Sequence, residues 1–127
     1  MCADGRNIRY RHWSYSEDPI ESYATVSCVA KRWGLHVAVS RTVCLNQVPE
    51  ELWAAHQKAV LMHATGMYFS RTGQQLKSIW RKVRRIYDKF GMPTEWQLAD
   101  QAEIIGYHAM EHQLTPESEY ELEAPTA

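Results

Sequence analysis

The stretch from His108 to His112 contains the residue types and spacing that could do chemistry. Its sequence is His108-Ala109-Met110-Glu111-His112, with two histidines four residues apart and a carboxylate directly before the second. Residues four apart lie on one face of an α-helix, so both imidazoles could bind one metal ion there. A carboxylate beside such an ion can move the proton of a bound water. This spacing predicts a helical metal site at His108, Glu111 and His112, and with it metal-dependent hydrolysis.

The order of these residues resembles the H-x-x-E-H motif of the inverted zinc peptidases. Two features of the surrounding sequence argue against the same use here. Gly106 and Pro116 leave room for about two helical turns between them. A catalytic zinc ion also needs a third protein ligand, and downstream of His112 the chain offers glutamates in an acidic tail. The histidines would then bind Zn²⁺ or Ni²⁺ adventitiously or serve no metal.

The composition predicts one folded domain. The 127 residues are 45% hydrophobic, which suffices for a single core. No apolar run reaches the roughly 18 residues of a membrane span, and residues 1–6 lack the apolar core of a signal peptide. We therefore expect a cytoplasmic protein with no membrane partner. It would consist of an N-terminal arm (1–21), a core (22–116) and an acidic tail (117–127).

Three widely spaced cysteines fit reduced thiols and match no zinc-ribbon spacing. We expect Cys28 and Cys44 to be buried structural thiols. His56 and His63 are seven residues apart, too far for one metal ion, and are expected to be half-buried residues of a helix.

Charge is unevenly distributed along the chain. All 14 Lys and Arg residues lie at or before Lys89, whereas eight of the 15 acidic residues follow Gly91. One interpretation is a basic surface for nucleic acid on the predicted helix 74–90. The other is that the two parts neutralise each other, within the fold or across a dimer. We favour the second, because a pI of about 6.6 falls short of the basic footprint of nucleic-acid-binding proteins.

Periodicity predicts the elements that would position these residues. Two β-branched runs, Tyr23–Ala30 and Leu35–Leu45, flank residues 31–34 and predict a β-hairpin with a four-residue turn. Because the apolar residues of the second run do not keep one parity, we expect a bulge near Arg41.

Two helices should follow the hairpin. The first begins at Pro49, ends around Ser70, and has an inner face of Leu52, Trp53, His56, Val60 and His63. The second runs from Thr72-Gly73 to Phe90 and stops at Gly91 and Pro93. Its apolar stripe is Leu76, Ile79, Trp80, Val83, Ile86, Tyr87 and Phe90. Residues 95–98 look extended.

One block of the sequence is similar to a known family. Residues 91–111, followed by Leu114-Thr115-Pro116, resemble the creatinase and Xaa-Pro-dipeptidase branch of the "pita-bread" metallopeptidases. Gly91-Met-Pro-Thr-Glu-Trp is similar to the Gly-x-Pro-x-Glu-Trp turn of that family, and Gly106-Tyr107 and Glu111 match its Gly-Tyr and Glu. Upstream, residues 31–43 resemble its central hairpin. The resemblance covers roughly residues 9–117. It implies an α+β fold, with an antiparallel hairpin sheet packed by two long helices, equivalent to about half of a pita-bread domain.

The same resemblance implies that the chemistry of the family is missing. Those enzymes bind two metal ions through two Asp on the hairpin, one His and two Glu. Here Ser27 and Ala38 stand at the hairpin positions, and Asp100 stands at the position of the His. The strands with the two Glu would follow Pro116, where we expect the acidic tail. Glu111 keeps a family counterpart, whereas both neighbouring histidines look incidental. We therefore expect no cofactor.

The favoured prediction is a non-catalytic, truncated relative of these metallopeptidases that serves as a binding or scaffold module. Half of a pita-bread domain would leave a sheet edge and an apolar face uncovered, so we expect a symmetric homodimer. The alternative is a metal-dependent hydrolase, a peptidase, that uses His108, Glu111 and His112. Nucleic-acid binding by the helix 74–90 is a third and weaker hypothesis. The sequence indicates no ligand, substrate or biological role.

Overall fold

The computed structural model describes residues 2–4 and 17–124, and has the expected α+β class. Of the predicted arm, Cys2–Asp4 forms a strand and residues 5–16 lie outside the described part. The elements in chain order are strands β1 (Cys2–Asp4), β2 (Tyr23–Arg32) and β3 (Leu35–Cys44), helices α1 (Glu50–Phe69) and α2 (Leu76–Lys89), a 3₁₀ helix (Glu95–Gln97), and strands β4 (Glu103–Ile104) and β5 (His112–Gln113). None of the described helices has both the length and the apolarity needed to cross a bilayer.

The hairpin of β2 and β3 is an unbroken antiparallel ladder, from the pair Tyr23–Cys44 to the pair Arg32–Leu35. The bulge predicted near Arg41 is therefore wrong. The turn is also shorter than the four residues predicted, since Trp33 and Gly34 alone connect the strands. Both have positive φ, 52° and 89°, as in a type I′ turn whose twist matches that of the strands. On its other side, β2 pairs with β1.

Helix α1 begins after Pro49, with Glu50 and Glu51 in its first turn, and ends at Phe69, close to the predicted boundary. Its predicted inner face is wrong, because none of its residues is buried. Trp53 and Val60, for example, are 55% and 49% exposed. Half-buried positions are Leu52, Lys58, Met62, Thr65, Gly66 and Phe69.

Helix α2 begins at Leu76, with Gln75 as its extended N-cap, and so starts a turn later than predicted. Its apolar stripe is confirmed, since Leu76, Ile79 and Val83 are buried. The helix ends at Lys89 with Phe90 as its C-cap, and Gly91 follows with a φ of 68°, as expected for a residue just past a helix end.

The core forms around α2 and the residues that return to it from the end of the described chain. Leu76, Ile79, Val83, Leu114 and Leu122 form the buried cluster, and Phe69, Trp80, Tyr87, Ile104 and Tyr120 pack against it. Of the residues in β2 and β3, Ala24 alone is buried. The side chains of the hairpin therefore contribute little to this core.

The start of the predicted acidic tail belongs to the fold. Leu122 is 6% exposed, and its carbonyl accepts the amide of Gly73 at 2.8 Å. The amides of Leu76 and Lys77 donate to the carbonyls of Tyr120 and Ser118 at 2.9 and 3.0 Å. The first amides of a helix have no partner inside the helix. Residues 118–122 supply those partners, so the core extends past the predicted boundary at Pro116.

Candidate functional site

The candidate metal site lies in a β-hairpin loop and not on a helix. Strands β4 and β5 pair through Glu103–Gln113 and Ile104–His112, which places His108 and Glu111 in the connecting loop. The amide of Glu111 donates to the carbonyl of Ile104 at 2.9 Å. The predicted helical face of His108, Glu111 and His112 is therefore wrong.

The carboxylate of Glu111 holds this loop together. Its Oε1 accepts the amides of Tyr107 at 2.9 Å and His108 at 3.3 Å. A Cβ added to Gly106 would lie 3.0 Å from the same oxygen. A Cβ at this distance would push the carboxylate back, so glycine at position 106 allows the close approach. Glu111 thus has a structural use for its charge.

The two histidines do not converge on one point. The His108 side chain is 82% exposed, with Nδ1 at 3.8 Å from Glu111 Oε1. The ring of His112 stacks on Tyr120 at 3.7 Å between centroids. Within residues 17–124, no three His, Cys, Asp or Glu side chains are grouped closely enough to hold a metal ion. Metal binding by His108, Glu111 and His112 remains a prediction without the helical geometry that motivated it.

The hairpin presents hydroxyl and methyl groups where the resemblance places metal-binding carboxylates. Ser27 pairs with Ser40 and Val29 with Ala38, so Ser27 and Ala38 share one face. Ser27 Oγ lies 2.7 Å from Ser40 Oγ, and Thr25 Oγ1 lies 2.9 Å from Thr42 Oγ1. We call these four residues the hydroxyl ladder. Neutral hydroxyls bonded to each other, beside a methyl group, do not fit a pair of divalent cations, which prefer charged oxygens.

The segment after α2 is held by Gln101. Its side chain accepts the Tyr87 hydroxyl at 2.7 Å and donates to the carbonyl of Trp96 at 3.0 Å. Burial raises the pKa of Tyr87, against a smaller lowering by this hydrogen bond. Residues 95–97 form a 3₁₀ helix, so the predicted extended segment is wrong. Asp100, at the position of the family histidine, is exposed beside this bend.

A cleft of about 1030 Å³ lies between α1, α2 and the β4–β5 hairpin. Its floor is the core stripe of α2, and its polar lining includes His63, Arg71, Glu103 and His112. Sequence reasoning missed this cleft. Ile104 and Leu114 are apolar in the sequence, but local spacing does not show that they lie across from α2. That placement follows from the fold.

The basic side of α2 is partly neutralised within the fold. Lys77 Nζ lies 2.9 Å from Glu119 Oε1, and Lys82 Nζ lies 3.8 Å from the centroid of Phe69. Arg84 lies over the ring of Trp96 at 5.3 Å. The ion pair with Glu119 neutralises Lys77, whereas the aromatic rings contact Lys82 and Arg84 without removing their charge.

The isolated histidines and cysteines differ from their predicted environments. His56 and His63 are exposed on α1, not half-buried. Cys28 is exposed and Cys44 half-buried, and both are free thiols. Cys44 lies at the open end of the hairpin ladder, paired with Tyr23, and Cys28 lies near its middle, paired with Val39.

Comparison with known proteins gives a structural likeness without a sequence match. No protein-family model matches the chain, and no curated protein matches it. A prolidase from Thermococcus sibiricus has a TM-score of 0.87 at 20% identity, over 99% of this chain and 35% of that one. A dipeptidase from Pyrococcus horikoshii OT3 has a TM-score of 0.87 at 19% identity, over 99% and 36%. An X-Pro aminopeptidase from Thermotoga maritima MSB8 has a TM-score of 0.84 at 13% identity, over 97% and 36%.

These identities establish the fold and not the activity. The fold expected from the resemblance is confirmed. The chain spans about 35% of the length of the solved proteins that it matches, and it adopts that part of the pita-bread fold of the prolidases.

Proposed function

We propose that this chain is a non-catalytic binding or scaffold module built on part of the prolidase fold. The hydroxyl ladder of Thr25, Ser27, Ser40 and Thr42 is the observation that carries the proposal. These side chains use their polar atoms on each other, at 2.7 and 2.9 Å. Metal-assisted hydrolysis needs ligands that hold an ion beside an activated water, and this face offers none of the required charge.

The apolar surface supports a binding role. Val37 and Val43 on the hairpin are 64% and 53% exposed, and Trp33 at its tip is 84% exposed. Exposed apolar side chains grouped in this way mark interaction surfaces.

The partner that we propose is a second copy of the chain, in the cytoplasm. A symmetric pair would cover the same apolar surface on both copies. The free thiols of Cys28 and Cys44 support a reducing compartment.

Two measurements on untagged wild-type protein test the proposal. The first is hydrolysis of an Xaa-Pro dipeptide with added Mn²⁺ or Zn²⁺, with a prolidase as positive control, together with the metal content of the purified chain. We expect no hydrolysis above background and no stoichiometric metal. Hydrolysis with bound metal, both lost in His112→Ala, would instead support the peptidase hypothesis at His108, Glu111 and His112.

The second measurement is sedimentation equilibrium at micromolar concentration. We expect a species of twice the 14.8 kDa chain mass. A stable monomer would contradict the homodimer.

A further inference from the structure

We propose that the homodimer forms through the outer edge of β3, paired antiparallel with β3 of a second copy about a two-fold axis at Ser40. This inference rests on the proposed function, since it names the interface of the dimer proposed there.

The backbone of β3 has one free side in the described structure. In an antiparallel ladder, the backbone groups of alternate residues point to opposite sides. The amide of Leu45 donates to the carbonyl of Ser22 at 2.8 Å, so odd-numbered residues of β3 face β2. The amide of His36 donates outward, to the carbonyl of Gly106 at 2.7 Å. The even-numbered residues Ala38, Ser40 and Thr42 therefore point outward, and no described strand lies beyond them.

This edge carries little of the protection that edge strands usually have. Exposed edges are normally short, bulged, or interrupted by proline and charge. Strand β3 is ten residues long, unbulged and free of proline, and Arg41 is its one permanently charged residue. The guanidinium of Arg41 donates to the outward carbonyl of Ser40 at 3.0 Å. A carbonyl oxygen accepts two hydrogen bonds, so Ser40 can still pair with a partner strand.

The side chains of β3 are complementary to themselves about Ser40. An axis there places Val37 opposite Val43 of the second copy, and these two side chains are 64% and 53% exposed. Arg41 faces Val39 of the second copy. Like charges directly opposite each other would destabilise the pair, and this register avoids them. Ala38, Ser40 and Thr42 would each join a pair that exchanges two backbone hydrogen bonds.

Other positions of the two-fold axis along β3 give less favourable pairing between the two copies. An axis at Val39 would pair Thr42 with His36, whose amide already bonds Gly106, and an axis at Arg41 would place the two arginines opposite each other. An axis at Ala38 would pair Ser40 with His36, whose amide already bonds Gly106. An axis at Thr42 would carry the pairing past Cys44, where the strand ends. An axis at Ser40 centres the pairing on residues 37–43. This range avoids both the bonded amide of His36 and the strand end at Cys44.

Disulfide trapping tests this register. In a background with Cys2, Cys28 and Cys44 replaced by Ser, Ser40→Cys places two thiols at the axis. The two Cα atoms would be about 5.5 Å apart, within the range of a disulfide. We expect a covalent dimer under mild oxidation. Thr42→Cys is the matched control, because each variant loses one bond of the hydroxyl ladder. Its two copies would be offset by four residues, about 13 Å, which is too far to cross-link.

The outcomes separate the interface from the homodimer itself. Cross-linking of Ser40→Cys without cross-linking of Thr42→Cys supports the edge interface. A dimer in sedimentation with no cross-link in the Ser40→Cys variant, or with an equal cross-link in both variants, overturns the interface and leaves the homodimer standing. A wild-type monomer overturns both.

Hydrogen exchange gives a second measurement that needs no variant. In the dimer, the amides of Ser40 and Thr42 should exchange more slowly at high protein concentration than at low concentration. Concentration-independent exchange at these amides, in a sample that sediments as a dimer, would also overturn the interface.

Discussion

The region around α2 and the hairpin of β2 and β3 differ in how far their apolar side chains are buried. Leu76, Ile79 and Val83 are covered by Leu114 and Leu122 of the same chain. The hairpin has an equally regular backbone, with an unbroken ladder of pairs, yet leaves nearly all its side chains exposed or half-buried. A complete backbone ladder satisfies polar groups but does not by itself remove apolar area from water. The first region is complete in one chain, whereas the second has apolar surface left for a partner.

The largest expected effect comes from breaking the region around α2. Ile79 is 1% exposed, so Ile79→Ala should lower the free energy of unfolding by about 2–5 kcal/mol through lost burial and a cavity. Val29→Ala removes an aliphatic side chain that is 63% exposed and should cost about 0.5 kcal/mol. Urea denaturation of both variants measures the difference. Equal losses would contradict the contrast between the two regions.

A smaller effect should follow from charging the edge of the hairpin. Val37→Lys places an ammonium group opposite Val43 of the second copy, and should raise the dissociation constant of the dimer at least about tenfold, or 1.4 kcal/mol. Val29→Lys introduces the same charge on β2, away from the edge, and should leave dimerisation unchanged. Sedimentation velocity across a dilution series compares the two. A similar shift in both variants would show that the charge acts without regard to the edge.

The smallest effect concerns the contact that ties residues 118–122 to α2. A hydrogen bond and charge attraction from Lys77 hold the pKa of Glu119 below its ordinary value. A folded-state pKa that is lowered adds stability above the unfolded pKa, and that stability is lost as pH falls through the folded pKa. Lys77→Met should therefore return the pKa of Glu119 towards its ordinary value.

NMR titration of the Glu119 carboxyl measures this change. Thermal unfolding should differ between wild type and Lys77→Met at neutral pH and converge below the pKa of Glu119. The difference should be small, because the Glu119 side chain is 80% exposed and solvent screens the pair. Lys89→Met removes the same charge from the far end of α2, and should leave the pKa of Glu119 where it is.

Local periodicity was enough to predict α2 but not to predict what covers a helix. Leu76, Ile79 and Val83 recur at helical spacing, and the structure buries them together. Trp53 and Val60 of α1 follow the same rule, yet they are exposed. Periodicity reports that a helix has an apolar face; whether another element packs on that face depends on contacts distant in sequence.

Spacing does not predict the geometry of His108, Glu111 and His112 for a related reason. Four-residue spacing fits both a helix and a hairpin loop, and long-range contacts decide between them. Here the carboxylate of Glu111 bonds two loop amides beside Gly106, which closes the loop. The replacement of acids by Ser27 and Ala38 was visible in the sequence through the resemblance, because it depends on residue identity and not on packing.

The return of residues 118–122 to the start of α2 has a consequence for the order of folding. Synthesis proceeds from the N-terminus, and domains generally complete their folding as units. All pairs of the hairpin lie between Tyr23 and Cys44, so none of them depends on residues 118–122. The amides of Leu76 and Lys77 can bond the carbonyls of Tyr120 and Ser118 only after those residues have been made. Leu122, which belongs to the buried core cluster, is made after them. During synthesis, an exposed β3 edge would therefore exist on every nascent chain before its own core has closed, so neighbouring chains on one messenger could pair before either has finished folding.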